Sequence, residues 1–297
     1  MAYQIMAQVL IGCSGWNYGD PIEKGGWVGS FYPDEHTKRL RYYSEFFPSA
    51  EIDATFYEKF YSKMSSGTFY GMVKATPDLF QFSVKAPETI THIKRLNVTK
   101  GALSIFEEFL EKISPLKNAN KLGAILLQLP PSFSVGEFKE VEAFLDRMPS
   151  GYDYAVEFRH PSWQTEGPWE MLRHYNVANV ITDSPSPELQ FLSDIVLTAD
   201  HSFIRFHGRN NGYWYDYLYT EQELKPWVQK VDKIRNDPES KRLRIYFNNH
   251  YGGKAVVNAL QFKEMVEGKK LPKNEQEMER KILAALTRMG RQKKLQQ

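Results

Sequence analysis

Eight short apolar runs recur along the chain at intervals of roughly 25–40 residues, and that rhythm constrains the fold more than any other feature. They are VLIGCS (9–14), EIDATFY (51–57), LFQFSVK (79–85), GAILLQL (123–129), YAVEFR (154–159), ANVITD (178–183), FIRFHG (203–208) and RIYFNN (244–249). Between several of them the apolar positions shift to three- and four-residue spacing, the mark of an amphipathic helix. FEEFLEKIS (106–114), FKEVEAFLDRM (138–148) and ELKPWVQKVDKIR (223–235) read this way, with Pro226 expected in a first turn that needs no N–H there. Strand and helix alternating eight times in 297 residues predict an α/β chain folded as a single TIM (β/α)₈ barrel. An open doubly wound sheet is the competing architecture. No G-x-G-x-x-G or Walker loop follows the first run, so no nucleotide-cofactor motif supports it.

Charge divides the chain. From Lys269 onward nine Lys/Arg face three Glu, a net +6, which leaves −4 on the preceding 268 residues of a chain whose total is +2. The reading is a barrel domain over 1–268 and a C-terminal helix with a basic tail over 269–297, its apolar face made by Ile282, Leu283, Leu286 and Met289. Bulk charge does not mark the body as a nucleic-acid binder; only the tail is basic. The longest apolar run, LGAILLQL (122–129), is far too short to span a bilayer, so no membrane partner is expected. Cys13 is the single cysteine and cannot form an intrachain disulfide, and the N-terminal stretch lacks a basic n-region and a cleavage site. Both point to the cytoplasm.

Side chains alternate faces along a strand, so one parity meets the helices and the other enters the barrel. In strand five Val156 and Phe158 suit the helix side, which turns Ala155, Glu157 and Arg159 inward. The same test sends in Gly12 and Ser14 from strand one, Asp53, Thr55 and Tyr57 from strand two, and Ser83 and Lys85 from strand three. Gln128 follows from strand four, Asp183 from strand six, Arg205 and His207 from strand seven, and Tyr246 and Asn248 from strand eight. Nearly all lie late in their strands, at the end where barrel enzymes build their sites. Buried ion pairs stabilise poorly against apolar replacements, so a ring of them favours a pocket over a purely structural clamp.

The stretches GCSGWNYGD…GWVGSFYP, EIDATFY, FSVKAPETITHIKRL, LGAILLQLPPSF, VEFRHPSW, IRFHGR and YFNNHYGGKAVVNA carry a resemblance, in order from Ile11 to about Leu260. Together they resemble the YecE-like family, domain of unknown function 72. The resemblance implies a TIM-barrel structure and an address for the site, but no reaction. It emphasises Asp53, Tyr57, Lys85, His92, Arg95, Gln128, Glu157, Arg159, His160, Arg205, His207 and Asn248. At Asp53 the chain departs from the pattern, where EINATFY-type versions have asparagine, so a role needing a neutral amide does not carry over.

The expected chemistry is acid–base. Glu157 beside Arg159 is held as a carboxylate that can take a proton or orient a histidine, with His207, His160 or His92 as the acid. Lys85 and the arginines hold an anionic substrate or developing negative charge. A divalent metal on Glu157, Asp183 and His207 is the one cofactor the residues suggest, although Arg159 and Arg205 crowd that space with positive charge. GCSGW lacks the spacing of a nucleophile elbow, so Ser14 is a hydrogen-bonding group and, with Trp16 beside it, a substrate-binding candidate. Trp27, Phe31 and Tyr32 are expected over the mouth or packed on a neighbouring loop. After strands seven and eight, Gly252 and Gly253 could offer backbone amides to a phosphate, with Arg205, Arg209 and Lys254 supplying charge. Tyr213, Trp214, Tyr215 and Tyr217 either stack a base or sugar or pack on one another. The expectation is therefore an enzyme, a hydrolase or lyase, acting on a phosphorylated small molecule or a phosphodiester. The alternative is a non-catalytic nucleic-acid or nucleotide binding protein that uses the aromatic loops and the basic tail.

Overall fold

The computed structural model describes residues 6–183, 186–210 and 212–295, with side chains through 291. Eight parallel strands close in sequence order into a barrel. They are β1 (Gln8–Ser14), β2 (Ser49–Ile52), β3 (Gln81–Lys85), β4 (Leu122–Gln128), β5 (Asp153–Glu157), β6 (Val177–Asp183), β7 (His201–Phe206) and β8 (Arg242–Phe247). The ends of the sheet join where β1 pairs with β8, Gln8 opposite Arg242 through Cys13 opposite Phe247. Apolar residues on both strand faces are what a parallel sheet wrapped in helices requires.

One large core lies between strands and helices. A smaller plug of Ala124, Leu126, Ala155, Ala178, Val180, Phe203 and Tyr246 fills the middle of the barrel. Tyr246 lies across that plug, its hydroxyl 2.6 Å from Ser49 Oγ and 2.9 Å from Ser83 Oγ. Below it, buried Arg244 donates to Asp153 at 2.8 Å. The plug seals the barrel's centre, so polar groups beyond it open only toward the C-terminal mouth.

Two sequence readings shift here. EIDATFY is not one strand: β2 stops at Ile52 and the chain turns into a 3₁₀ turn over Ala54–Phe56. Pro226 lies in the second turn, because the helix begins at Glu221, capped by Thr220 accepting from Glu223 N–H. The C-terminal helix, Lys273–Leu295, is not a free appendage. Ile282 belongs to the main core, while Ala285 and Met289 cluster with Ile22 and pack on Tyr251 and Leu286. The basic end at 292–297 lies outside the residues whose side chains are described. Among the described residues no helix is long and apolar enough to cross a membrane.

Candidate functional site

Glu157, the last residue of β5, is buried at the centre of the mouth. Its Oε1 accepts from Gln128 Nε2 at 2.9 Å and from Arg159 Nε at 2.9 Å, and lies 3.0 Å from His207 Nε2. Its Oε2 accepts from Arg205 Nη1 at 2.7 Å. Burial alone would raise this carboxyl, but Arg205, Arg159 and His207 outweigh it and hold it well below the ordinary range. Asn248 Nδ2 lies 3.3 Å from His207 Nδ1. With that amide donating, the neutral ring carries its proton on Nε2 and donates to Glu157. Burial, reinforced by Arg205 and Arg159, lowers His207 to about 4, which keeps it neutral.

Arg205 is the second hub. Its Nη2 donates to Glu51 Oε1 at 2.6 Å while Nη1 holds Glu157, so one guanidinium bridges β2, β5 and β7. Ser14 Oγ also donates to Glu51 Oε1, at 2.8 Å. Glu51 was absent from the sequence-based candidates, although it shares the parity of Asp53. Glu51 stands first in the run EIDATFY but third in β2, opposite Ser14 and Ser83. Glu157, Arg205, Glu51, Ser14, His207 and Gln128 therefore form a network whose members bind one another, with Glu51 Oε2 and Arg205 Nε left unpaired among the described residues.

Several expected site residues have other employment. Asp183 pairs across the sheet with Phe206, and Thr182 with Arg205, so Thr182 enters the barrel and Asp183 faces the helices. There Asp183 accepts from Arg209 Nε at 2.9 Å, Arg209 Nη2 at 2.7 Å and Tyr219 Oη at 2.6 Å. The proposed metal set of Glu157, Asp183 and His207 is thus not brought together. Among the described residues no group of three His, Cys, Asp or Glu could hold a metal ion. With Arg159 and Arg205 also on Glu157, these residues do not fit a metal. His160 is an N-cap, its Nδ1 accepting from Ser162 N–H at 3.1 Å, rather than an acid in the mouth. Arg95 is engaged by Glu137 through Nε and Nη2, both at 2.5 Å, and by Ser132. His92 contacts Thr91 Oγ1 at 2.9 Å and stands edge-on to Phe56, and burial lowers it to about 4.

The expected phosphate grip after β7 and β8 is likewise taken up. Gly252 N–H donates to Gly25 O at 2.9 Å and Gly253 N–H to His250 O at 3.1 Å. Lys254 is held by Asp216. The glycines are needed for the backbone instead, with φ of 65° and 88°. A Cβ on Gly253 would meet Ile282 of the C-terminal helix at 3.3 Å. The aromatic loops also pack on themselves. Tyr18, His250 and Tyr215 form a stack, with centroids at 4.4 and 5.3 Å. Trp27, Phe31 and Tyr32 are fully buried, and Tyr217 donates to Glu223.

Two inward ionisable groups remain unengaged. Lys85, the last residue of β3, is buried, yet among the described residues its amine makes no hydrogen bond or ion pair. Its Nζ lies 3.4 Å from the centroid of the Phe56 ring. Burial, with Arg205 and Arg159 repelling a third cation, lowers it to about 7. Asp53, just past β2, takes a hydrogen bond, among the described residues, from its own backbone N–H and no side chain. Burial and the neighbouring Glu51 raise it to about 6, against the opposing pull of Lys85. Asp53 and Trp16 line a cleft of about 790 Å³ together with Tyr18, Ile52, Tyr57 and Phe60. Glu157, Lys85 and Arg159 do not line it; of the inward ionisable groups Asp53 does.

A family profile described as "Protein of unknown function DUF72" matches residues 10–281. The UPF0759 protein YunF of Bacillus subtilis (strain 168) is 28% identical over 284 residues, 87% of this chain and 95% of that one. The UPF0759 protein YecE of Escherichia coli (strain K12) is 32% identical over 177 residues, 52% of this chain and 61% of that one. A solved DUF72 family protein from Thermotoga maritima superposes with a TM-score of 0.69 at 32% identity, over 88% of this chain and 99% of that one.

Proposed function

The chain belongs to the DUF72 family, and from that premise we propose that its barrel mouth is the site of an enzyme acting on a small anionic molecule by acid–base chemistry. One observation carries the reading. Among the described residues Glu51, Glu157, Arg159, Arg205 and His207 are each bound to a neighbouring side chain, while the Asp53 carboxyl and the Lys85 amine have no side-chain hydrogen-bond partner. Asp53 lines a cleft, and both groups are poised near neutral pH. A carboxyl at about 6 and an amine at about 7 can each give or take a proton at little cost, the condition efficient general acid–base catalysis needs. Structural networks also shift such groups, but those groups are then engaged by partners, and these two are not.

The anionic substrate class rests on Arg159. Its Nε and Nη2 both serve Glu157 Oε1, at 2.9 and 2.8 Å, and among the described residues Nη1 has no partner and is left to meet a ligand. A guanidinium presents a phosphate or carboxylate with matched donors, and Lys85, when protonated, adds a second cation. A phosphorylated small molecule or phosphodiester, cleaved by hydrolysis or elimination, is the class this charge favours. The single buried Cys13 supports work in a reducing compartment such as the cytoplasm.

The test is a thermal-shift screen of phosphorylated sugars, nucleotides and short oligonucleotides against the full chain. A ligand at ~100 times its dissociation constant adds about 2.7 kcal/mol. The expected hit is a small phosphate ester that stabilises the wild type and loses that effect in Arg159→Gln and Lys85→Met. Stabilisation by oligonucleotides alone, steeply weakened by salt, would replace this reading with the nucleic-acid binder.

A further inference from the structure

Proton transfer does not use everything that is unusual about Lys85. A lysine that only binds anions or relays protons is ordinarily held by acceptors that orient its N–H groups. Here the amine stands over the face of Phe56, 3.4 Å from its centroid, with no acceptor among the described residues. Glu157 and Glu51, the two buried carboxylates near it, are both bound to Arg205. Among the described residues no donor reaches the nitrogen either, so in the unprotonated amine the lone pair is unoccupied. A desolvated amine beside other cations is the environment that makes lysine a carbonyl nucleophile.

We propose that the reaction in this mouth passes through an imine between Lys85 Nζ and a carbonyl carbon of the substrate, with Asp53 as the proton carrier. The inference rests on the reading of Asp53 and Lys85 as the working pair and names the substrate class as an aldehyde or ketone. The nitrogen lone pair attacks the carbonyl carbon, and the C=O π electrons move to oxygen. One N–H proton passes through Asp53 to that oxygen, giving a carbinolamine. The Asp53 carboxyl then protonates the hydroxyl, the C–O bond breaks, and water leaves. Loss of the remaining nitrogen proton to the Asp53 carboxylate yields the neutral imine and restores the carboxyl. Amine and carbonyl give imine and water, with no oxidant or metal required. Protonated again, the imine withdraws electrons from the adjacent carbon and so favours bond cleavage or proton loss there. Arg159 is the group left to hold a phosphate on the same molecule.

Reductive methylation with formaldehyde and cyanoborohydride at pH 7, read by peptide mass spectrometry over time, tests the amine directly. An ordinary lysine near 10.4 is unprotonated in only about 0.04% of molecules at pH 7, whereas one at about 7 is so in half. Lys85 is expected to be modified at least ten times faster than exposed Lys59 and Lys63. Equal or slower modification of Lys85 overturns the proposal. A second arm compares dihydroxyacetone phosphate with dihydroxyacetone under the same reductant. An adduct on Lys85 that needs the phosphate, and is lost in Arg159→Gln, supports both inferences. An adduct equal for both compounds keeps the imine and removes the phosphate reading. Stabilisation by the phosphate ester with no Lys85 adduct keeps the acid–base reading and removes the imine. Lys85→Arg, checked for an unchanged melting temperature, is the control that must abolish labelling.

Discussion

Replacing Arg205 with methionine keeps most of the side-chain volume and removes the cation that serves Glu51 and Glu157 together. Both charge-assisted bonds, at 2.6 and 2.7 Å, are lost, which leaves Glu51 with Ser14 as its remaining donor and no cation between it and Glu157. Hydrogen bonds to charged groups contribute about 1.5–3 kcal/mol each, and breaking a buried pair costs about 3–5 kcal/mol. At about 2.1 cal/mol/K per residue, 297 residues give an unfolding entropy of about 0.6 kcal/mol/K. The expected fall in melting temperature at pH 7.5 is therefore about 5–8 °C, measured by calorimetry or circular dichroism. Arg205→Met/Glu51→Gln leaves only one buried carboxylate, still bound by Gln128, Arg159 and His207, and should recover at least half of the loss. Lowering the pH should narrow the gap between wild type and Arg205→Met, because a proton shared between the carboxylates relieves their repulsion. A drop below about 2 °C, or a double variant less stable than the single one, would refute the assignment of Arg205 as the electrostatic centre of the network.

Acid should destabilise the wild type well above the carboxylate range. His92, His201, His207 and His250 each sit near 4 in the fold, against about 6.5 unfolded, so unfolding takes up protons between these values. Stability present above pH 6.5 is lost as pH falls toward 4, on the order of 3 kcal/mol for each fully buried ring. Asp53, raised to about 6, works in the opposite sense, so Asp53→Asn should steepen the loss in denaturant titrations between pH 6 and 4. Gly253→Ala should cost about 1–2 kcal/mol, because φ is 88° and the new methyl meets Ile282 at 3.3 Å; no change in urea midpoint would count against the docked C-terminal helix. Cys13 is fully buried and desolvation pushes its thiol up, so a thiol reagent should react only at the rate of unfolding.

Strand positions and the barrel were legible because apolar runs survive any local error in boundaries. Face assignment was legible only where the two parities differ chemically. Strand five, with Val156 and Phe158 against Glu157, has that contrast, and its reading stands. VANVITD in β6 is buried at all seven positions, so parity has nothing to distinguish, and Asp183 faces the helices rather than the barrel interior. In β2 the apolar run continues past Ile52 into a 3₁₀ turn, so strand parity does not carry to Tyr57, which is partly exposed, and the run's first residue, Glu51, is the inward group. The roles of His160 and Arg95 depend on Ser162 and Glu137, and no spacing rule announces which partner a polar side chain will find.

The charges of the central network come from distant parts of the chain: Glu51 early, Glu157 with Arg159 midway, and Arg205, which bridges both acids, in the last third. During synthesis the two acids emerge well before Arg205, the cation that joins them. A nascent chain that ends before β7 would have to bury both carboxylates without Arg205, and it also lacks β8, the strand that closes the sheet onto β1. Premature collapse of the half-made barrel is therefore electrostatically penalised, and closure is rewarded only once the seventh strand has been delivered.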